Sequence, residues 1–152
     1  MYISAKVDYG TRALLALAVA PSGRPVKGEV LAEEQDLPLR FVENILVELR
    51  RAGLVTSQRG AEGGYRLARP PNAITLADVF RALEGPLADV RGLRPEDARY
   101  EGPAEHLRDI WVAVRAALRA VLERVTLADV AAGEFPEPVV ALLADPEAWH
   151  RR

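Results

Sequence analysis

The chain of 152 residues contains no cysteine and only two histidines, and these shortages exclude several kinds of site. Without thiols the chain can form neither a disulfide framework nor a thiolate-bound metal or iron–sulfur centre. The two histidines, His106 and His150, are scattered and make a poor metal site. We therefore expect the protein to carry no metal and no other cofactor.

Long apolar runs are missing as well. No run approaches the roughly 20 residues of a membrane-spanning helix, and residues 1–6 lack the basic start and cleavage site of a secretory signal. Hydrophobic residues make up 49% of the chain and charged residues 28%, which is the composition of a soluble globular protein. We expect a cytoplasmic protein without membrane contact.

The net charge of −2 is unevenly distributed along the chain. Residues 1–85 hold 11 Lys/Arg and 10 Asp/Glu, whereas residues 86–152 hold 9 and 12. Within residues 38–69, six arginines face three glutamates, a local net charge of +3. A nucleic acid would meet this stretch first, although arginines on a solvated surface explain the same excess.

Residues 38–69 also have the most informative pattern. Val42, Ile45, Leu46 and Leu49 recur at the spacing of a buried helical stripe, which predicts a helix over residues 38–52. Gly53 suits the position after a helix end, and residues 54–69 read as a glycine-punctuated hairpin. A helix followed directly by a polar hairpin is typical of a winged helix-turn-helix.

Two earlier helices complete the predicted unit. The first begins near the N-cap Ser4 and ends near Ala20, where Pro21-Ser22-Gly23 stops it. The second covers residues 27–35, and a short turn through residues 36–38 leads to the third helix. Lys6, near the start of the first helix, is a candidate for a DNA phosphate contact.

In a helix-turn-helix, the N-terminal part of the second helix of the motif enters the major groove, which selects Arg40, Glu43 and Asn44. An arginine can contact guanine O6 and N7, an asparagine can pair with adenine, and a glutamate can accept from cytosine N4. Glu43 would equally serve as an intrahelical partner of Arg40 or Arg50.

The hairpin end is rich in glycine, and we expect Gly60, Gly63 and Gly64 to adopt positive φ angles there. Arg59 at this tip suits a minor groove, where narrow width attracts arginine. Gly60, Gly63 and Arg66 complete the predicted DNA contacts. A nucleotide-binding loop is the alternative, but no helix follows and no Gly-Lys-Ser/Thr element exists.

Beyond the wing, Thr75 caps a predicted helix that ends near residues 84–86, and a long helix is expected over residues 103–124. The long helix has a wide apolar stripe, which a twofold-related copy would cover. We expect dimerisation through Leu107, Ile110, Trp111, Val114, Leu118 and Val121.

The remaining C-terminal segments are shorter. Residues 126–130 repeat the helix start of residues 75–79, although five residues alone do not define a repeat. A last helix is expected over residues 139–149, followed by a frayed tail, Arg151-Arg152. The predicted divisions are a DNA-binding domain over 1–85, a sensor-type loop over 86–102 and a dimerisation segment over 103–152.

Four segments of the chain form a recognisable set. They are Ser4-Ala5-Lys6-Val7-Asp8-Tyr9-Gly10, Phe41-Val42-Glu43 with Leu46-Val47-Glu48-Leu49-Arg50, Ala52-Gly53-Leu54-Val55, and Arg59-Gly60-Ala61-Glu62-Gly63-Gly64-Tyr65-Arg66-Leu67. In these segments the chain resembles the Rrf2 family of bacterial transcription regulators. The resemblance is strong over about residues 2–85, and the wing, Arg-Gly-x-x-Gly-Gly-Tyr, is its most diagnostic part.

The resemblance implies a homodimer that binds a pseudo-palindromic operator, with polar residues of the recognition helix in the major groove and the wing arginine in the minor groove. Iron–sulfur members carry three cysteines in the loop that corresponds to residues 87–102, and this chain has none there. His106 lies near a further ligand of some members but is offset from the Trp111 landmark. The resemblance therefore implies a member without the usual cluster.

We interpret the chain as a sequence-specific, double-stranded-DNA-binding regulator, a repressor, that responds to a signal other than a cluster. A small-molecule effector or a partner protein could bind at the loop, with Tyr100 and Trp111 as candidate lining residues, although either ring could simply be core.

The alternative is a winged-helix protein-interaction module that does not bind DNA. An enzyme is the weakest interpretation, since no nucleophile–base pair or paired carboxylates stand out.

Overall fold

The structure, a computed structural model, describes residues 1–21 and 24–151. The predicted class, mainly α with a small hairpin wing, is confirmed. Over the described ranges, the elements in chain order are α1 (Ala5–Val19), α2 (Gly28–Glu34), α3 (Leu39–Arg51), β1 (Val55–Gln58), β2 (Gly64–Leu67), α4 (Leu76–Glu84), α5 (Leu107–Leu122), α6 (Leu127–Ala132) and α7 (Glu137–Leu143).

Helix α1 begins as its sequence predicts, because the Ser4 hydroxyl accepts a hydrogen bond from the Val7 amide at 3.2 Å. Its buried residues, including Leu14 and Leu17, face a core shared with α2, α3 and α4. The helix ends at Val19. Ser22 and Gly23, which were expected to stop it, lie outside the described residues.

The turn between α2 and α3 brings the two helices of the motif together. Asp36 adopts a φ of +50°, and the buried Leu37 donates its amide to the Ala32 carbonyl at 2.8 Å. At the other end of α3, Gly53 has a φ of +76°, and the Leu54 amide bonds to the Leu49 carbonyl at 2.9 Å. This is a Schellman end, so the predicted role of Gly53 is confirmed.

The wing is an antiparallel pair in which Val55 lies opposite Leu67 and Gln58 opposite Gly64. Val26, two residues before α2, pairs with the wing in an isolated antiparallel bridge that the sequence did not indicate. The Val26 amide donates to the Tyr65 carbonyl at 2.8 Å, and the Tyr65 amide donates to the Val26 carbonyl at 2.7 Å. The wing is therefore attached to the segment that leads into α2.

Two helices of the C-terminal part differ from their predicted ranges. Residues Gly102–Ala104 form a 3-10 turn, with Gly102 at a φ of +58°, so α5 begins at Leu107 instead of residue 103. The last predicted helix, residues 139–149, is split into α7 and the 3-10 segment Pro146–Trp149. Pro146 explains the split, since it lacks an amide and disfavours a helical residue before it.

The C-terminal part is also joined to the core. Leu127, the first residue of α6, is fully buried within the core cluster that α1, α3 and α4 form. In residues 1–21 and 24–151, no helix is both long enough and apolar enough to span a bilayer. Of the expected frayed tail, Arg151 is exposed and Arg152 lies outside the described residues.

Candidate DNA-binding surface

Helix α3 presents a polar face to solvent because its apolar face is buried. Val42, Ile45, Leu46 and Leu49 are at most 2% exposed. The three residues predicted to contact bases, Arg40, Glu43 and Asn44, are all exposed on the outer side. Across the described residues, their side chains have no hydrogen-bond or ion-pair partner. The alternative of Glu43 as an intrahelical partner is not formed, and the three groups are available to a ligand.

The Lys6 side chain, which was predicted to contact a DNA phosphate, has partners within the protein. Its ammonium lies 2.7 Å from the Glu48 carboxylate of α3 and donates to the Leu83 carbonyl at 2.8 Å. Arg12 is engaged similarly, since its guanidinium donates to the side chain and the backbone carbonyl of Gln35 at the end of α2. These two cations position α3 and the turn before it, and we leave Lys6 out of the proposed DNA contacts.

The wing tip is built on three glycines that have different roles. Gly60 and Gly64 have φ angles of +105° and +146°, as predicted. Gly63 was expected to have a positive φ and does not, which corrects the prediction. A Cβ on Gly63 would lie 2.2 Å from the Gln58 carbonyl, so glycine is needed for close backbone approach. Arg59 is exposed at this tip.

Two arginines stiffen the wing. Arg50 at the end of α3 donates to the Ser57 hydroxyl of β1 at 3.0 Å, which links the recognition helix to the hairpin. Arg66 on β2 donates to the Gln58 side-chain oxygen at 2.6 Å. Because Gln58 is neutral, the charge of Arg66 is not compensated by this bond, and both cations stay exposed.

Sequence reasoning missed two cations beside the wing. The Val26 bridge brings the exposed Arg24 and Lys27 next to Ala61 and Glu62, across a cleft of about 410 Å³. The candidate surface therefore includes basic residues on both sides of the wing.

The residues of the predicted dimerisation stripe of α5 differ in their exposure to solvent. Ile110 and Val114 are 56% and 44% exposed. Leu107, Trp111, Leu118 and Val121 are half-buried. The exposed side continues through Ala113 and Ala117, so an apolar strip remains uncovered along the helix.

Tyr100 and Trp111, the candidate lining residues, are brought together by the structure. The Trp111 indole donates to the Tyr100 hydroxyl at 3.1 Å, which ties residues 87–102 to α5. Both rings line an apolar groove of about 390 Å³ together with Val90, Pro95 and Val114. The geometry is compatible with ligand binding and with a purely structural contact.

An exposed polar recognition helix, joined by a Schellman turn to a glycine-tipped hairpin, defines a winged helix-turn-helix protein. The family model of Rrf2, described as an iron-dependent transcriptional regulator, matches residues 3–133. The chain belongs to the Rrf2 family of transcriptional regulators.

Relatives of known name agree with this assignment. The Mycobacterium tuberculosis (strain CDC 1551 / Oshkosh) protein MT1325, named as an HTH-type transcriptional regulator, is 50% identical over 148 residues, which cover 97% of this chain and 92% of MT1325. The HTH-type transcriptional regulator CymR of Bacillus subtilis is 39% identical over 131 residues, covering 86% and 90%.

Solved structures agree with the fold. CymR, the global cysteine regulator of B. subtilis, superposes with a TM-score of 0.73 at 38% identity, covering 88% of this chain and 98% of that chain. T. potens IscR superposes with a TM-score of 0.70 at 31% identity, covering 99% and 97%. The winged-helix fold is thereby shown.

The iron chemistry that the family description implies does not fit these residues. The chain has no cysteine. His106, the residue near a ligand position, has a side chain that is 85% exposed and lies 3.0 Å from Glu105, as expected of a surface residue. Within the described parts of the chain, no three His, Asp or Glu side chains are grouped closely enough to hold a metal. The residues of this chain therefore do not fit an iron–sulfur cluster.

Proposed function

We propose that the protein is a cytoplasmic repressor that binds a pseudo-palindromic operator as a homodimer. The observation that carries this proposal is the exposed and unpartnered set of Arg40, Glu43 and Asn44 on α3. Their donors and acceptors suit base edges in a major groove. Arg59 at the wing tip is proposed to enter the flanking minor groove, and Gly60, Gly63 and Arg66 to shape and charge the wing.

Two copies of the chain would supply two recognition helices. The uncovered strip of α5, centred on Ile110 and Val114, is suited to pack against its own copy in a twofold dimer. Such a dimer would present two recognition helices to two half-sites of the operator that lie about one DNA turn apart. Repression then follows from occupying a promoter, and the signal is not a cluster because the chain has no thiol ligands.

Selection from random duplex DNA tests this proposal. We expect the purified protein to enrich an inverted repeat and to bind it more weakly as salt rises, because phosphate contacts release counterions. The alternative, an interaction module that does not bind DNA, predicts no enriched sequence and no salt-dependent affinity. Either of those results would reject the proposal.

The dimer has its own test. Ile110→Asp and Val114→Asp place a charge in the uncovered strip, and we expect sedimentation to show a monomer for either variant where the wild type is a dimer. Ala131→Asp, at an exposed position of α6, serves as the control. A wild type that sediments as a monomer at micromolar concentration would contradict the dimer.

A further inference from the structure

A polar cavity of about 550 Å³ lies between α4, residues 86–96 and α5. Four arginines line it, one from α4, one from the loop and two from α5: Arg81, Arg94, Arg115 and Arg119. The acidic residues in its lining are Asp89 and Glu96. Counting the lining alone, four positive charges face two negative charges.

The acidic residues do not neutralise these arginines completely. Arg115 lies 2.5 Å from Glu96, while Arg81 and Arg119 share the single carboxylate of Glu123. Asp89 is used by the loop itself, because its carboxylate accepts the Gly92 amide at 2.9 Å. Arg94 is exposed and has no hydrogen-bond or ion-pair partner among the described residues.

We propose that this cavity binds a metabolite-sized anion with at least two negative charges, carried on carboxylate or phosphate groups. Planar guanidinium groups bind both kinds of oxyanion through paired hydrogen bonds. The volume lies within the range of small-molecule pockets, and it is larger than a single inorganic ion requires. Arg94 forms no ion pair at contact distance and interacts with Glu96 only electrostatically, so it is proposed to contact the ligand together with Arg119, whose guanidinium lies 3.6 Å from the shared Glu123.

The position of the cavity gives such an anion a regulatory consequence, which rests on the proposed function. At 3.6 residues per turn, Arg115 and Arg119 lie roughly 150° around α5 from Ile110, Val114, Ala117 and Val121. The cavity therefore stays open when the apolar strip is covered by a second copy. An anion held by Arg81 and Arg119 would join the winged domain to the dimerisation helix and shift the affinity for DNA.

Calorimetry on the full-length protein without DNA tests the binding site. The probes are citrate, fructose 1,6-bisphosphate and inorganic phosphate at constant ionic strength, so that carboxylate and phosphate sources are compared. We expect citrate or the bisphosphate to bind, and Arg94→Gln and Arg119→Gln each to lose about tenfold or more in affinity. The matched control is Arg108→Gln, since Arg108 is an exposed arginine of α5 outside the cavity lining.

Three results would overturn the proposal. One is that none of the probes binds at concentrations on the order of millimolar, where several arginines should still capture a polyanion. Another is an equal loss of affinity in Arg108→Gln. The third is loss in Arg59→Ala but not in Arg94→Gln, which would place the anion on the DNA-binding surface. Because DNA is absent, failure here leaves the proposed function standing, and a protein that binds anion but no DNA would reject only that function.

Discussion

Thr75 and Thr126 lie opposite each other in an isolated antiparallel bridge, and each starts a helix with the same five residues, Thr-Leu-Ala-Asp-Val. The Leu76 amide donates to the Val125 carbonyl at 2.9 Å, and the Leu127 amide donates to the Ile74 carbonyl at 3.0 Å. Both threonines form capping boxes with the aspartate three residues later. The bridge places the start of α6 in the core of the winged domain.

Leu127→Ala should reveal this connection as a loss of stability. Leu127 is fully buried, so truncation to alanine should lower the free energy of unfolding by about 2–5 kcal/mol. Denaturant unfolding measures the change. Leu142→Ala, at a leucine 56% exposed in α7, is the matched control and should change stability by less than about 1 kcal/mol. Equal effects from both variants would mean that residue 127 is outside the core.

The wing glycines should differ in their tolerance of alanine. A Cβ on Gly64 would lie 2.5 Å from the Val26 carbonyl, whereas one on Gly60 meets no atom within 4 Å. Both have positive φ angles. We expect Gly60→Ala to cost about 1–2 kcal/mol from backbone strain alone, and Gly64→Ala to cost more because Val26 must move. In hydrogen exchange, the Tyr65 amide should lose its protection in Gly64→Ala and keep it in Gly60→Ala. Equal exchange rates of this amide in the two variants would refute the close approach.

Lys6 should act on stability without forming a phosphate contact. The Lys6–Glu48 pair is partly exposed, so Lys6→Met should reduce stability by about 1 kcal/mol or less. A double-mutant cycle with Glu48→Gln isolates the coupling. The salt dependence of DNA binding should be unchanged in Lys6→Met. A salt slope reduced by about one per protomer would show instead that Lys6 contacts a phosphate.

The Glu96–Arg115 pair predicts a pH dependence. Hydrogen bonding from the backbone, followed by the Arg115 side chain, lowers the pKa of the Glu96 carboxyl below its ordinary value of 4.5. Its ionised form is thus favoured in the folded state, and the stabilisation is present above pH 4.5 and lost as pH falls through the lowered pKa. Glu96→Gln should therefore lower Tm at pH 7, and the difference from the wild type should shrink in acid.

Thermal unfolding at pH 7 and at an acidic pH below the lowered pKa of Glu96 checks this expectation. Glu101→Gln is the control, since Glu101 is an exposed acid on the same loop segment and its side chain has no partner in the described part of the chain. A Tm difference for Glu96→Gln that is the same at both pH values would contradict the account.

Local pattern was sufficient for the helix-turn-helix and wing. The stripe of α3, the Ser4 cap and the glycine after Ala52 are all signals within a few residues, and each is confirmed. The Val26 bridge and the Thr75–Thr126 bridge were not predictable, because each depends on segments that are distant in sequence. The ion pair of Lys6 was not predictable for the same reason, since its partner Glu48 is 42 residues away.

The C-terminal half was predicted less accurately for a related reason. The apolar spacing of α5 indicates a buried helix but does not say which neighbour covers each side. In the structure Trp111 donates a hydrogen bond to Tyr100 of residues 87–102, whereas Ile110 is exposed. The four arginines of the cavity come from three segments of the chain, so no local motif marks them.

The most direct test of the central claim is the salt dependence of binding to the selected operator, measured for the wild type, Asn44→Ala and Arg59→Ala. We expect Asn44→Ala to leave the salt slope unchanged and to lose about 1–3 kcal/mol of discrimination at one position of each half-site. Arg59→Ala should reduce the slope by about one per wing and weaken binding most with A·T-rich flanks. Affinity without sequence preference, or independent of salt, in the wild type would contradict the account.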